Sequence, residues 1–276
     1  MWWFCRRKPL GALGGFLVLA MFVMAAGAEW IAPHHYGDTI RGANMKPPST
    51  AFWMGTDNLG RDVFSRVVYG ARVSITVGFG AVLLSNILAA LIGITSGYFG
   101  GRYDMLVQRV VDAWQSFPFL VVILSIMAVL GPGLFNVILA LGVLGSAGAS
   151  RILRGATIAV AHNQYVEAAR ALGAGHARIM ARYILPNVMA TMIVIATIGL
   201  GAFILAESAL SFLGFGVPPP YPSWGAMLSG SSRSLFYGAP WMAVWPGAAI
   251  SLAVFGFNML GDALRDVLDP QQRGRA

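Results

Sequence analysis

Lysine occurs only twice in this chain, at Lys8 and Lys46, and each precedes a proline. No phosphate loop of the form G-x-x-x-x-G-K-[ST] can therefore be written along it, which excludes an ATPase of that type. Cysteine occurs once, at Cys5, so no internal disulfide is possible. The four histidines, His34, His35, His162 and His176, are expected in loops. That leaves no membrane-embedded serine–histidine dyad and no histidine-rich helical metal site. The His34-His35 pair reads as solvated polarity or a weak metal contact. Charge is scarce as well: 11% of residues are charged, against about 25% in soluble domains, and 57% are hydrophobic. Acidic groups able to relay protons within a bilayer are limited to Glu207 and, near expected span ends, Asp104, Asp112 and Asp262. This argues against a self-powered carrier, and nothing in the chain points to an enzyme.

What is present is a series of long uncharged windows. A helix needs about 20 apolar residues to cross the hydrocarbon core, and a central charge costs roughly 3 kcal/mol on insertion scales. Residues 9–28, 73–101, 183–206 and 234–261 each supply one such window. The window 113–150 is too long for one helix, and Gly131-Pro132-Gly133 near its middle divides it into two. Residues 208–232 are also uncharged, but Pro218-Pro219-Pro220 and Pro222 interrupt them, so no span is expected there. The expected fold is an all-α integral membrane protein with six transmembrane helices.

Cytoplasmic loops carry the excess of Lys and Arg. With the N-terminus inside, 13 of the 19 basic residues fall on the inner side, which places both termini in the cytoplasm. The net charge of +8 then reflects basic loops beside an anionic lipid leaflet rather than nucleic-acid binding. Arg6-Arg7-Lys8, the apolar run and Ala26-Gly27-Ala28 also imitate a cleavable signal peptide, although the run is long enough to span. Loss of that segment leaves the other five helices in the same orientation.

The chain is expected to divide into residues 1–31, an N-terminal tail and first span; 32–72, an extracytoplasmic segment; 73–262, a five-helix core; and 263–276, a C-terminal tail. Within the outer segment, residues 55–66 have spacings that suit a short interfacial helix, either a loop cap or a rim meeting an external partner. Glu207 is the charge nearest a membrane interior, and it is either functional or bonded to neighbouring backbone at a helix end. The run from Gly261, ending at Pro270, reads as an inner-surface anchor.

Residues 160–187 form the one compact polar element between apolar stretches. A helix is expected from about Gln164 to Leu172, a break at 173–175, and a second helix entering the fifth span. Ala168 and Ala169 add no bulk, so another protein's groove can close on that helix, with Glu167 and Arg170 at the edge; an ordinary polar hairpin on the bilayer surface is the alternative. Gly93, Gly97, Gly142, Gly145 and Gly148 recur at helical spacing and suit close helix packing. Pro118 stands where a kink can serve as a hinge, and Gly214 follows Glu207 in the run that leads to the prolines.

Glu167-Ala168-Ala169, then Gly173, then Leu185-Pro186, is similar to the "EAA" loop of ABC importer permeases. Tyr183 departs from the pattern, which has an aliphatic residue there. Residues 55–74, 97–118, 207–225 and 258–270 further resemble the C-type permeases of dipeptide, oligopeptide and nickel importers. The resemblance implies a type I ABC importer permease in the bacterial inner membrane. Its implied partners are a homologous second permease, two cytoplasmic ATP-binding subunits, an external substrate-binding protein and membrane lipid. It implies no cofactor or metal in this chain, since ATP and Mg would be bound by the ATPases. It also implies that Glu167, Ala168, Ala169, Arg170, Gly173, Leu185 and Pro186 couple the permease to those ATPases, while Pro118, Glu207 and Gly214 are candidate hinge or gate positions. Short peptides are the expected cargo, with nickel complexes or other small solutes behind them. An ATP-independent channel or carrier, or a non-transporting membrane anchor, is the rival class.

Overall fold

The computed structural model describes residues 8–229 and 238–268, and among these it contains helices and no strand beyond one isolated bridge between Thr56 and Asp62. The expectations that rest on Cys5, Arg6-Arg7, residues 234–237 and Pro270 lie outside the described residues. The helices are α1 (Pro9–Ala26), α2 (Ala28–Ile31), α3 (Val63–Phe99), α4 (Gly101–Gln115), α5 (Phe119–Leu130), α6 (Leu134–Ala161), α7 (Gln164–Ala171), α8 (His176–Ile179), α9 (Leu185–Phe212), α10 (Trp224–Met227) and α11 (Trp241–Leu268). Five are long and apolar enough to cross a membrane: α1, α3, α6, α9 with the turns preceding it, and α11. The pair α4 and α5, bent by 85° at residues 116–118, makes a sixth if counted as one span.

Two expected boundaries move. The first core span begins at Val63 rather than 73, because Asp62 caps it by accepting from the Ser65 N–H at 2.8 Å. Residues 63–66 thus belong to α3, not to a separate interfacial helix. Charge windows locate the hydrocarbon-compatible part of a helix, whereas caps locate its end, and the 37 residues of α3 extend about 55 Å, well beyond a 30 Å core. The helix expected to start the third span at 113 begins at Phe119, and with 12 residues it makes a span only together with α4. Pro118 lacks an N–H and disfavours helical backbone in the residue before it, so α4 stops and α5 restarts in a new direction. The tight turn at Gly131-Pro132-Gly133 joins α5 to α6 as expected, with Gly131 at φ 78°.

Packing centres on α3 crossing α6, with α9, α11 and α1 added around it. Small residues make the central crossing possible: a Cβ on Gly93 would sit 2.5 Å from the Ser150 carbonyl oxygen, and one on Gly97 2.8 Å from that of Arg154. Helix α1 turns Leu13, Phe16 and Leu19 outward, an arrangement suited to lipid rather than water. Lys8, at the start of α1, pairs with Asp266 near the end of α11, so both helix ends lie together. The same end of the bundle carries α7 and α8, whose core includes Ile94 and Tyr98 from the last turns of α3.

Candidate functional site

At that end, Val166 of α7 is buried in a cluster with Ile94, Tyr98, Ile179 and Ile184, and Ala169 is buried as well, while Glu167, Ala168 and Arg170 are exposed. Both alanines were expected to meet a partner's groove, but consecutive helical residues point about 100° apart, and Ala169 is turned inward while Ala168 is offered outward. Gly173 closes α7 at φ 78°, a backbone state that suits glycine, and the Ala174 N–H returns to the Ala169 carbonyl at 3.0 Å. Just before the turn, Leu172 is 89% exposed. Sequence reasoning passed over this residue because its signal is a lone apolar side chain among polar neighbours.

A hydrogen bond and a cation–π contact tie the loop to α3. The Tyr98 hydroxyl lies 2.9 Å from His176 Nδ1, and the Arg170 guanidinium stands 5.5 Å from the Tyr98 ring centre. His176 therefore opens a helix instead of lying in a loop. From α8 the chain widens into a π turn at Met180–Ile184 and enters α9 at Leu185, with Pro186 in the first turn of that helix. Tyr183 and Leu185 are partly buried against the Val166 cluster. Residues 164–186 are thereby continuous with a membrane-length helix.

Helix α4 is fixed to α6 beside this loop. Asp104 receives the Arg154 guanidinium, with Nε 2.6 Å from Oδ1, and also the Ser96 hydroxyl, while Asp112 pairs with Arg151. These carboxylates are thus held by arginines at the edge of the bundle. Pro118 lies at the bend directly following α4.

Above the loop, α3, α6 and α9 line a cavity of about 850 Å³ whose polar residues include Ser85, Asn86, Asn187 and Thr191. The Asn86 Oδ1 is buried without a hydrogen-bond partner among the described residues. The sequence carried a faint signal, amides and hydroxyls inside apolar runs, but no local pattern shows that they converge.

Glu207 and Gly214 sit at the opposite end of the bundle. Because α9 continues to Phe212, Glu207 lies inside a helix rather than at its end. It is fully buried, and Oε1 accepts from Ser211 Oγ at 2.6 Å and Ser223 Oγ at 2.8 Å. Gly214, at φ 88°, ends α9 so that the chain folds back and delivers Ser223 to this carboxylate. The adjacent Trp224 donates from Nε1 to the Val67 carbonyl of α3 at 2.9 Å. Glu207 therefore joins α9 to the returning segment, which Trp224 ties to α3, and does not approach the α7 cluster. The predicted site residues fall into a loop group at one end and a buried brace at the other, with Pro118 apart from both at the bend between α4 and α5.

Residues 89–274 match the family described as binding-protein-dependent transport system inner membrane component, and residues 1–48 match the N-terminal TM domain of oligopeptide transport permease C. The chain belongs to this family of inner-membrane transport components. It is 39% identical over 272 residues to a dipeptide transport system permease protein of Bacillus subtilis (strain 168), covering 99% of this chain and 85% of that protein. It is 38% identical over 270 residues to a glutathione transport system permease protein of Escherichia coli O157:H7, covering 98% and 89%. It is 40% identical over 273 residues to a di/tripeptide transport system permease protein of Pseudomonas aeruginosa (strain UCBPP-PA14), covering 96% and 90%. A chain of the inward-facing MetNI methionine ABC transporter shares the fold, with TM-score 0.60 at 17% identity, over 74% of this chain and 96% of that one. The permease is an all-α inner-membrane protein and a transport subunit.

Proposed function

We propose that the permease forms half of the translocation path of an ATP-driven importer of di- or oligopeptides. Its partners are a homologous second permease, two cytoplasmic ATPases and an external binding protein. The cargo assignment rests on relatives named for dipeptide, glutathione and di/tripeptide transport. The observation that carries the coupling role is the division of α7, with Val166 and Ala169 buried beneath it and Glu167, Ala168 and Leu172 exposed.

On this reading the α7 end faces the cytoplasm. ATP and Mg bound by the partner ATPases close them together, and hydrolysis releases them. A ligand shifts a conformational equilibrium only through different affinity for its states, so the ATPase pair must hold α7 differently when closed. Displacement of α7 passes through its buried face to the end of α3 and through residues 173–186 into α9. Helices α3, α6 and α9 also wall the 850 Å³ cavity, whose access would alternate with that movement. Asn86, Asn187 and Thr191 suit peptide backbone, which presents the same donors and acceptors whatever its side chains.

Uptake of labelled di- and oligopeptides, compared with nickel, in a strain lacking this subunit tests the cargo. Peptide uptake should disappear and return with the wild-type chain; loss of nickel uptake alone would overturn it.

A further inference from the structure

At the end of the bundle opposite α7, residues 57–66 meet residues 217–229 and the start of α11 around a small cavity of about 180 Å³. Arg66 lines it although only 7% of the residue is exposed. A guanidinium carries five N–H donors. Among the described residues, one of those donors reaches an acceptor, Nη1 to the Tyr36 carbonyl at 3.1 Å. The Asp57 carboxylate is 3.9 Å from Arg66 Nε, too far for a hydrogen bond.

Asp57 is already engaged. It accepts from the Leu59 and Arg61 N–H groups, both at 2.9 Å, and from Arg61 Nε at 2.6 Å. Asp62 caps α3 through Ser65 and forms an ion pair with neither arginine. Residues 230–237 contain no acid and add Arg233 to the sequence. Among the described residues, Arg66 therefore has unfilled donors beside a cavity also lined by the Asp57–Arg61 pair, by the polar residues Tyr221 and Ser229, and by the apolar Val217 and Met227. Pockets for drug-sized ligands measure about 300–1,000 Å³, so this one suits a single side chain or chain terminus.

The geometry points to a carboxylate-binding site at the outer rim of the permease, in which Arg66 and Arg61 receive one carboxylate on a short aliphatic stem. Arginine's planar fork matches a carboxylate bidentately. The carboxylate comes either from an acidic side chain of the external binding protein or from the C-terminus of the peptide cargo. The outer position rests on the proposed function, which puts the α7 end inside.

The test uses the complete importer reconstituted in lipid, with binding protein, both permeases and ATPases. Variants are Arg66→Gln and Ser229→Phe; the second fills the cavity and leaves both arginines. If the binding protein supplies the carboxylate, both variants weaken its peptide-free docking about tenfold, the scale of a charged hydrogen bond. If the cargo supplies it, docking holds while uptake of Ala-Ala falls toward that of Ala-Ala amide. Unchanged docking and unchanged discrimination between these probes in Ser229→Phe overturns the site, even where Arg66→Gln fails to assemble. Failure of the wild-type importer to move Ala-Ala with ATP strikes the proposed function instead.

Discussion

Ser223 Oγ lies 2.8 Å from Glu207 Oε1 across sixteen residues of sequence, and this bond holds the returning segment against the end of α9. Ser211 gives the same oxygen a second donor one helical turn away. The carboxylate thus acts as a common acceptor for a helix and for the strap that crosses to α3 through Trp224.

Replacement of Glu207 by alanine strands the hydroxyls of Ser211 and Ser223 in a buried site. Each unsatisfied group costs about 1–3 kcal/mol, so the Glu207→Ala permease should melt several degrees lower in detergent. Glu207→Gln keeps an acceptor oxygen for both serines and should lose less. Equal melting of both variants and wild type would remove the bracing role.

Ala168→Arg should insert and fold normally yet fail to co-purify with its ATPases, since residue 168 is exposed. Ala169→Arg forces a charge into the buried side of α7 and should lower stability by roughly 3 kcal/mol or more. Thermal denaturation and pull-down, read together, separate the two faces. Wild-type uptake by Ala168→Arg would contradict docking at α7.

Leu172→Asp should leave melting within about 0.5 kcal/mol of wild type, the usual range for exposed positions. Its effect should appear in docking, where an apolar anchor is lost, as a lower rate of ATP-dependent uptake. Unchanged uptake would show that this side chain meets no partner.

Arg154→Leu leaves Asp104 without its guanidinium and should loosen α4 from α6. The exchanged pair Asp104→Arg with Arg154→Asp should recover part of the loss, because the contact depends on opposite charge. A double-mutant cycle on melting free energy should give a coupling of about 0.5–3 kcal/mol. Additive losses would mean the pair contributes no stability of its own.

Much of this molecule was legible residue by residue. The spans follow from uncharged windows, the division at Gly131-Pro132-Gly133 from turn chemistry, and the loop break at Gly173 from glycine's access to positive φ. The start of α3 lies ahead of the expected residue 73 because Arg72 bounds the charge window, whereas Asp62 caps the helix earlier and Arg66 is buried within it. The bend at Pro118 was expected as a hinge within a span. Its 85° angle is not legible there, nor is the pairing of Asp104 and Asp112 on the helix before it with Arg154 and Arg151 on α6.

The sequence by itself determined the solvent, the helical content and the position of the polar loop, because hydropathy and turn preference act over a few neighbouring residues. It also ruled out an ATP-binding phosphate loop within the chain. Only the tertiary structure decided that Ala169 turns inward while Ala168 does not, that Glu207 braces a strap, and that Arg66 is left, among the described residues, with donors to spare. Each of these depends on groups distant in sequence meeting in space, since burial and hydrogen-bond satisfaction belong to the packed helices and not to any one segment.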